Sequence, residues 1–285
     1  MSGGASMKEI KLRIKSVEGT MQITKAMELV ASSKLNRAKL RVQHSRPYFT
    51  LLYETLSDIA AANTDFSSAF VRSRPVKKSC YVLIAGDRGL AGGYNANLLR
   101  EAAEKMGGGP ACVLPVGKKA VEFCRQRGLQ MVSEEFAVAE DISVSDSLAM
   151  AKLLCADFLA GEYDQLFVCY TNFVSMLSQS PATLKLLPLS APGQKETRTA
   201  PRQLILYEPG SEAVYDAIVP DYIGGMLWGA LCESIASELG ARRMAMDAAS
   251  KNAGDMIENL QLHYNRARQG AITQEITEIV AGAEM

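Results

Sequence analysis

Residues 221–285 contain no proline. At helical spacing they place apolar or small residues at Leu227, Leu231, Ile235, Leu239, Met246, Ala249, Ala253, Met256, Leu260 and Ala267. From Leu239 onward the steps alternate between three and four, with Arg242 and His263 as polar interruptions. That is the a/d seam of a left-handed coiled coil, held over more than four heptads. A continuous helix over this stretch is ~95 Å long at about 1.5 Å per residue. Helices of globular domains average roughly three turns, so the stretch constrains the whole chain: a rod this long needs a partner for its seam.

The partner is at the other terminus. Ser6-Met7-Lys8-Glu9 has the spacing of a capping box, in which serine and glutamate satisfy free amides of a first helical turn. Behind it Ile10, Ile14, Val17, Met21, Thr24, Glu28, Ala31, Leu35, Ala38 and Val42 again alternate fours and threes. Pro47 is expected to kink or interrupt the helix. The apolar pattern resumes through Leu51, Leu52, Leu56 and Ile59, so one helix is expected to about Ala61.

The middle differs in kind. Cys80 to Ala85, Ala111 to Val116 and Gln165 to Tyr170 are short apolar runs rich in strand formers. Helical stretches at Asn97 to Met106, Lys118 to Arg127 and Ser145 to Ala160 lie between and around them. This alternation predicts a parallel or mixed sheet covered by helices, with Thr183 to Leu189 and Gln203 to Tyr207 as further strands. The fold class is therefore α/β, a long antiparallel coiled coil of the N- and C-terminal helices plus a central Rossmann-like α/β domain. The expected divisions are 1–61, 75–208 and 211–285. Both rods leave one compact body, so they must pair antiparallel, and the stretch after about Ala267 projects alone. Residues 1–46 hold ten Lys or Arg against three Asp or Glu, and residues 221–285 hold five against nine. The opposite signs favour association, although each exposed pair is worth under ~1 kcal/mol.

Composition removes several classes. Net charge is zero, which argues against a nucleic-acid binder held by a general basic field. Six cysteines form no C-x-x-C pair and no zinc spacing, and read as reduced packing residues. Residues 165–184 lack charge but carry Gln165, Thr171, Asn172, Gln179 and Pro181, which argues against a membrane span. No signal or transit segment is legible, so membrane association is expected only through partners.

Gly86 to Asn95 follows a strand and precedes a helix, where a phosphate-cradling loop would sit. Its glycines are spaced three and three, however, and not as G-x-G-x-x-G. Gly117-Lys118 lacks the rest of a phosphate-loop motif, and the two histidines, His44 and His263, both lie on the rods. No catalytic residue, metal ligand or cofactor site is expected. Thr24 and Glu28 in one seam and Arg242 in the other should meet as a polar register pin or as a patch for another protein.

Three stretches carry a resemblance. Ile23-Thr24-Lys25-Ala26-Met27-Glu28-Leu29-Val30-Ala31-Ser32-Ser33-Lys34-Leu35, the loop Gly86 to Asn95, and Tyr264 to Ala283 are similar, in that order, to motifs of the gamma subunit of rotary ATP synthases. The resemblance implies a central shaft inside a ring of three alpha and three beta subunits, with an epsilon subunit and a ring of c subunits at its foot. It implies a non-catalytic chain, peripheral to the cytoplasmic face of a bacterial cell membrane. Met27, Arg242, Gln269, Thr273 and Glu275 then fall at beta-subunit contacts. Asp87, Arg88, Gly89, Leu90 and Gly92 fall near a moving acidic beta segment, and Ile272, Ile276, Ile279 and Val280 form an apolar bearing. Gly86 and Ala91 stand where the family's loop has serine and cysteine, and no inserted dithiol segment is present, so redox gating of that type is not expected. The competing reading is a nucleotide-dependent enzyme with a Rossmann-like domain and a dimerising coiled coil.

Overall fold

The computed structural model describes residues 6–62, 67–136, 138–189 and 207–283. Two helices dominate them: α1 spans Met7–Ala62 and α5 spans Ser211–Ala283. The capping box forms as its spacing requires, with Ser6 N–H donating to Glu9 Oε2 at 2.9 Å and Glu9 N–H to Ser6 Oγ at 3.3 Å. Pro47 neither ends nor divides α1, and α5 likewise runs through Pro220.

Between them come β1 (Ser79–Ile84), α2 (Tyr94–Met106), β2 (Ala111–Val116), α3 (Lys118–Arg127), β3 (Gln130–Met131), a 3-10 turn (Ala139–Asp141), α4 (Val144–Ala160), β4 (Gln165–Phe173) and β5 (Gln179–Leu187). Strand β3 is two residues long, too short for a periodic signal. Helix α4 begins behind Ser143, whose hydroxyl accepts from Asp146 N–H in a second capping box. The stretch Gln203 to Tyr207, expected as a strand, lies outside the described residues except for Tyr207.

Contacts divide the chain into a larger unit, Lys34–Ala241, and a smaller one, Met1–Ser33 with Arg242–Met285. Both boundaries fall inside helices rather than in loops.

In the larger unit the strands run β3-β2-β1-β4-β5, parallel except for the antiparallel β4–β5 pair. A parallel sheet must be covered on both faces, and β1 shows how. Tyr81, Leu83 and Ala85 pack with Leu98 and Ala102 of α2 and Ala120 and Cys124 of α3. Cys80, Val82 and Ile84 face the other way, among Leu154 and Phe158 of α4 and Ile223 and Leu227 of α5. The alternation along the strand is therefore apolar on both faces, which is why it reads as an unbroken run. Within this unit α1 and α5 are antiparallel: Leu35 and Ala38 cluster with Ala236 and Leu239, whereas Tyr53 further along α1 lies 6.1 Å from Tyr222 earlier in α5.

Arg74 locks the start of the sheet. It pairs with Asp164 at 2.9 Å, donates to Phe158 O at 2.7 Å and lies over the Phe158 ring. The Asp164 carboxylate also accepts from Lys77 N–H at 2.7 Å and Lys78 N–H at 3.2 Å. Those backbone bonds, the Lys77 one foremost, hold its carboxyl below the usual range, with the Arg74 charge adding to them. A depressed folded-state value contributes stability above the ordinary carboxylate pKa that is lost as pH falls through the folded one. Asp164→Asn should thus melt lower than the parent at neutral pH, with the gap closing below about pH 4. A gap independent of pH in thermal melts would leave the carboxylate no such role.

Candidate functional site

Two places gather the residues singled out in the sequence, one in each unit.

In the larger unit, the loop after β1 is built by hydrogen bonds to its own backbone. Gly86 N–H donates to Asn95 Oδ1 at 2.9 Å, and Asn95 Nδ2 donates to Arg88 O at 3.3 Å, closing the loop onto α2. Asp87 points inward. Its Oδ1 accepts from Lys118 N–H at 3.1 Å and Ala139 N–H at 3.0 Å, and its Oδ2 from Glu140 N–H at 3.1 Å. Lys118 is the first residue of α3, so the chain's own carboxylate fills the anion position that a helix N-terminus offers a phosphate. Glu140 in turn meets Lys34 of α1 at 2.8 Å. Gly86 sits against α5: an added Cβ would lie 2.8 Å from the Glu238 carboxyl carbon, the far end of a side chain that would have to shift.

What remains exposed of the loop is its tip. Arg88, Gly89 and Gly92 are exposed, and Leu90 is 65% exposed with φ at 62°. A leucine held in the left-handed region costs roughly 1 kcal/mol or more and gains little from burial here. Ala91 is buried. The five loop residues therefore sort into a structural anchor, Asp87, and a presented tip.

In the smaller unit the seam of α1 is close to its expected form: Ile10, Thr24 and Ala31 are buried, and Ile14, Val17, Met21 and Glu28 are half-buried. On α5 the buried positions are Met246, Ala253 and Ile257, whereas Met256 is 47% exposed. Thr24 finds Ser250 across the pair: its Oγ1 donates to Met21 O at 3.0 Å and lies 2.7 Å from Ser250 Oγ. Sliding an antiparallel pair by a turn exchanges a for d positions and keeps apolar residues on the seam, so periodicity alone does not select this register. Glu28 pairs with Lys25 at 2.8 Å, and Lys251 with Asp247 at 2.8 Å. Replacing Thr24 by Val should cost ~1 kcal/mol by stranding one hydroxyl, and Thr24→Val with Ser250→Ala should recover most of it. Additive losses in denaturant titrations would show that the two hydroxyls act independently.

Met27 and Arg242 are both half-buried in this unit. Gln269, Thr273 and Glu275 are exposed, and no described side chain of α5 beyond Leu260 is buried. Ile272 is 47%, Ile276 57%, Ile279 70% and Val280 53% exposed. The sequence reading missed a comparable set on α1: Ile23 at 63%, Leu29 at 62% and Val30 at 57% exposure. Their signal was available, because they are large apolar residues lying off the seam. Beside them Met21, Lys25 and Ala26 face Asp247, Ser250 and Lys251 across a shallow groove.

Among the described residues no three His, Cys, Asp or Glu side chains are grouped to hold a metal ion, and no helix is long and apolar enough to cross a membrane.

The ATP synthase family model matches residues 6–285. An ATP synthase gamma chain of Alkaliphilus metalliredigens is 44% identical over 99% of both chains. One from Ruminococcus albus is 44% identical over 96% of both. A gamma chain of Acetobacterium woodii described as sodium ion specific is 38% identical over 98% of each. Among solved structures, a chain of the Euglena gracilis mitochondrial ATP synthase (OSCP, F1 and c-ring) has a TM-score of 0.66 at 17% identity, covering 99% of this chain and 95% of that one. One from the Tetrahymena thermophila central stalk and c-ring has a TM-score of 0.59 at 24% identity, covering 80% and 99%. With the helices and sheet in place and relatives matched over nearly their full length, this chain belongs to the ATP synthase gamma-chain family.

Proposed function

We propose that this chain is the rotor shaft of a bacterial ATP synthase, coupling transmembrane ion flow to ATP synthesis and hydrolysis at the beta-subunit sites. The observation that carries the proposal is 44% identity to a gamma chain along 99% of both chains. The exposed apolar side chains of α1 and α5 support it, since Ile23, Val30, Ile276 and Ile279 are costly to leave in water unless another protein covers them. A single chain inside three alpha and three beta subunits is asymmetric by necessity. It biases one beta site at a time if it contacts their conformations unequally, because differential interaction is what shifts populations.

The chain itself is non-catalytic in this reading and needs no cofactor. Arg88 and Leu90 at the loop tip meet an acidic beta segment, while Met27, Arg242, Gln269, Thr273 and Glu275 contact beta subunits. The Ile272 to Val280 tip turns in an apolar collar. The epsilon subunit and c-ring hold the foot, so the chain is attached to the cytoplasmic face of the membrane through partners. The enzyme reading is weakened by Asp87, which occupies the first amide of α3, the one a phosphate at Gly117-Lys118 would use.

Deleting residues 272–285 in the assembled complex should lower ion pumping per ATP hydrolysed, and Met27→Lys should impair coupling more than hydrolysis. Unchanged pumping in the truncation would overturn the bearing assignment, and an unchanged ion-to-ATP ratio in Met27→Lys would reduce Met27 to a packing residue. Stoichiometric ATP or NAD binding to the isolated chain in calorimetry would favour the enzyme.

A further inference from the structure

All six cysteines are free and buried, but they are not equivalent. Cys80 and Cys112 are the second residues of β1 and β2, and the parallel register sets them directly opposite one another. Both side chains point to the same face of the sheet, into the cluster that also holds Phe158 and Tyr163. Neighbouring strands are ~4.8 Å apart, inside the roughly 4.4–6.8 Å window for the Cα atoms of a disulfide. We infer that Cys80 and Cys112 form a reactive cross-strand dithiol, a modification site that a hydroperoxide converts to a disulfide.

The sulfurs are poised differently. The neighbouring Cys80 thiol, and then the charge of Lys78, hold the Cys112 thiol below its usual range, while its Sγ also lies 3.9 Å from Ser79 O. Cys80 is pushed well above it, by the neighbouring Cys112 and then by burial. Burial pushes Cys124, Cys169 and Cys232 up to about 11 and Cys155 up to about 12. Cys112 lies on β2 beside the two-residue β3, whereas Cys80 lies on the central β1, so Cys112 is the sulfur that peroxide reaches first, attacking as its thiolate. Its thiolate displaces hydroxide from hydrogen peroxide: an S–O bond forms, the O–O bond breaks, and the hydroxide takes a proton to leave as water. The Cys80 sulfur then attacks the Cys112 sulfenic acid. The S–S bond forms, the S–O bond breaks, and the leaving oxygen departs as a second water with the proton from Cys80. Two thiols and one peroxide thus give one disulfide and two waters.

Access comes from the edge. Cys112 is 3% exposed, and among the described residues the strand outside β2 is the two-residue β3, paired at Cys112–Gln130 and Val113–Met131. So short a pairing opens locally at low cost, admitting a molecule as small as peroxide. Side chains of in-register parallel strands run side by side, so the Cβ atoms must draw closer than the strand spacing to reach disulfide geometry. The bond is therefore strained and readily reduced.

The test treats the full-length chain with hydrogen peroxide and maps disulfide-linked peptides without reductant. A Cys80–Cys112 link should exceed any other pairing by about tenfold and be reversed by dithiothreitol. Cys155→Ser should leave it unchanged. Cys80→Ser should abolish it and leave a sulfenic acid at Cys112 that dimedone traps. A link from Cys112 to Cys155, no link when methionines are already oxidised, or the same pairing pattern in guanidinium-denatured chain would each overturn the inference.

Discussion

Gly117→Ala is expected to leave the chain unable to reach its native fold. Gly117 joins β2 to α3 with φ at 91° and ψ at 149°, a conformation that is essentially reserved for glycine. An alanine Cβ there would lie 2.1 Å from Ala85 O, the carbonyl that follows β1 in the centre of the sheet. Backbone strain of ~1–3 kcal/mol adds to a clash that no rotamer relieves. Relief requires moving β1 away from the start of α3, which disturbs Lys119 N–H to Gly86 O at 3.1 Å and Ala85 N–H to Val116 O at 2.9 Å. The loss should exceed ~4 kcal/mol, a large share of a typical domain's stability. Gly161 provides the comparison, with φ at 84° and no atom within 4 Å of an added Cβ. Gly161→Ala carries only the left-handed penalty of about 1–2 kcal/mol, a shift of a few degrees in melting temperature. Similar melting temperatures for the two variants would mean that the approach of Ala85 is not limiting.

Asp87→Ala should be the next most damaging change. It withdraws the acceptor from three backbone amides at once, those of Lys118, Ala139 and Glu140. An amide stranded in the interior costs ~1–3 kcal/mol, and water offsets part of this because the site is only half-buried, so the net loss should be roughly 2–4 kcal/mol. Asp87→Asn keeps one acceptor oxygen, enough for Lys118 and Ala139 but not for Glu140, and should lose about half as much. Denaturant titration measures the ranking, and hydrogen exchange locates it, with faster exchange at Ala139 in Asp87→Ala than in Asp87→Asn. Unchanged exchange at that amide would show that the turn is held by something else. In the proposed shaft the same variant releases the tip Arg88–Leu90 from its anchor, so coupling should fall further than stability alone accounts for.

The two changes show where sequence reasoning stopped. The loop Gly86 to Asn95 was legible as a motif, but its inward and outward residues were not. Whether Asp87 is a contact or an anchor depends on amides 31 and 53 residues away in sequence. Only folding of β1, α3 and the 3-10 turn brings them to the carboxylate. Pro47 and Pro220 illustrate the converse. Each is a helix breaker by local rule, yet α1 and α5 run through them.

The amino-acid order alone determined the elements and the faces they bury. Alternating threes and fours marked Ile10, Thr24, Ala31, Leu35 and Ala38 as a seam, and all five are buried. Short apolar runs marked β1, β2 and β4 because strands covered on both faces need no polar side. Tertiary structure decided what periodicity leaves degenerate: Ser250 against Thr24, Ile257 rather than Met256 on the seam, and Cys112 opposite Cys80 across two strands. A repeating pattern is unchanged when one partner slides along the other. Register is therefore set by contacts between distant residues, and no window of local sequence contains it.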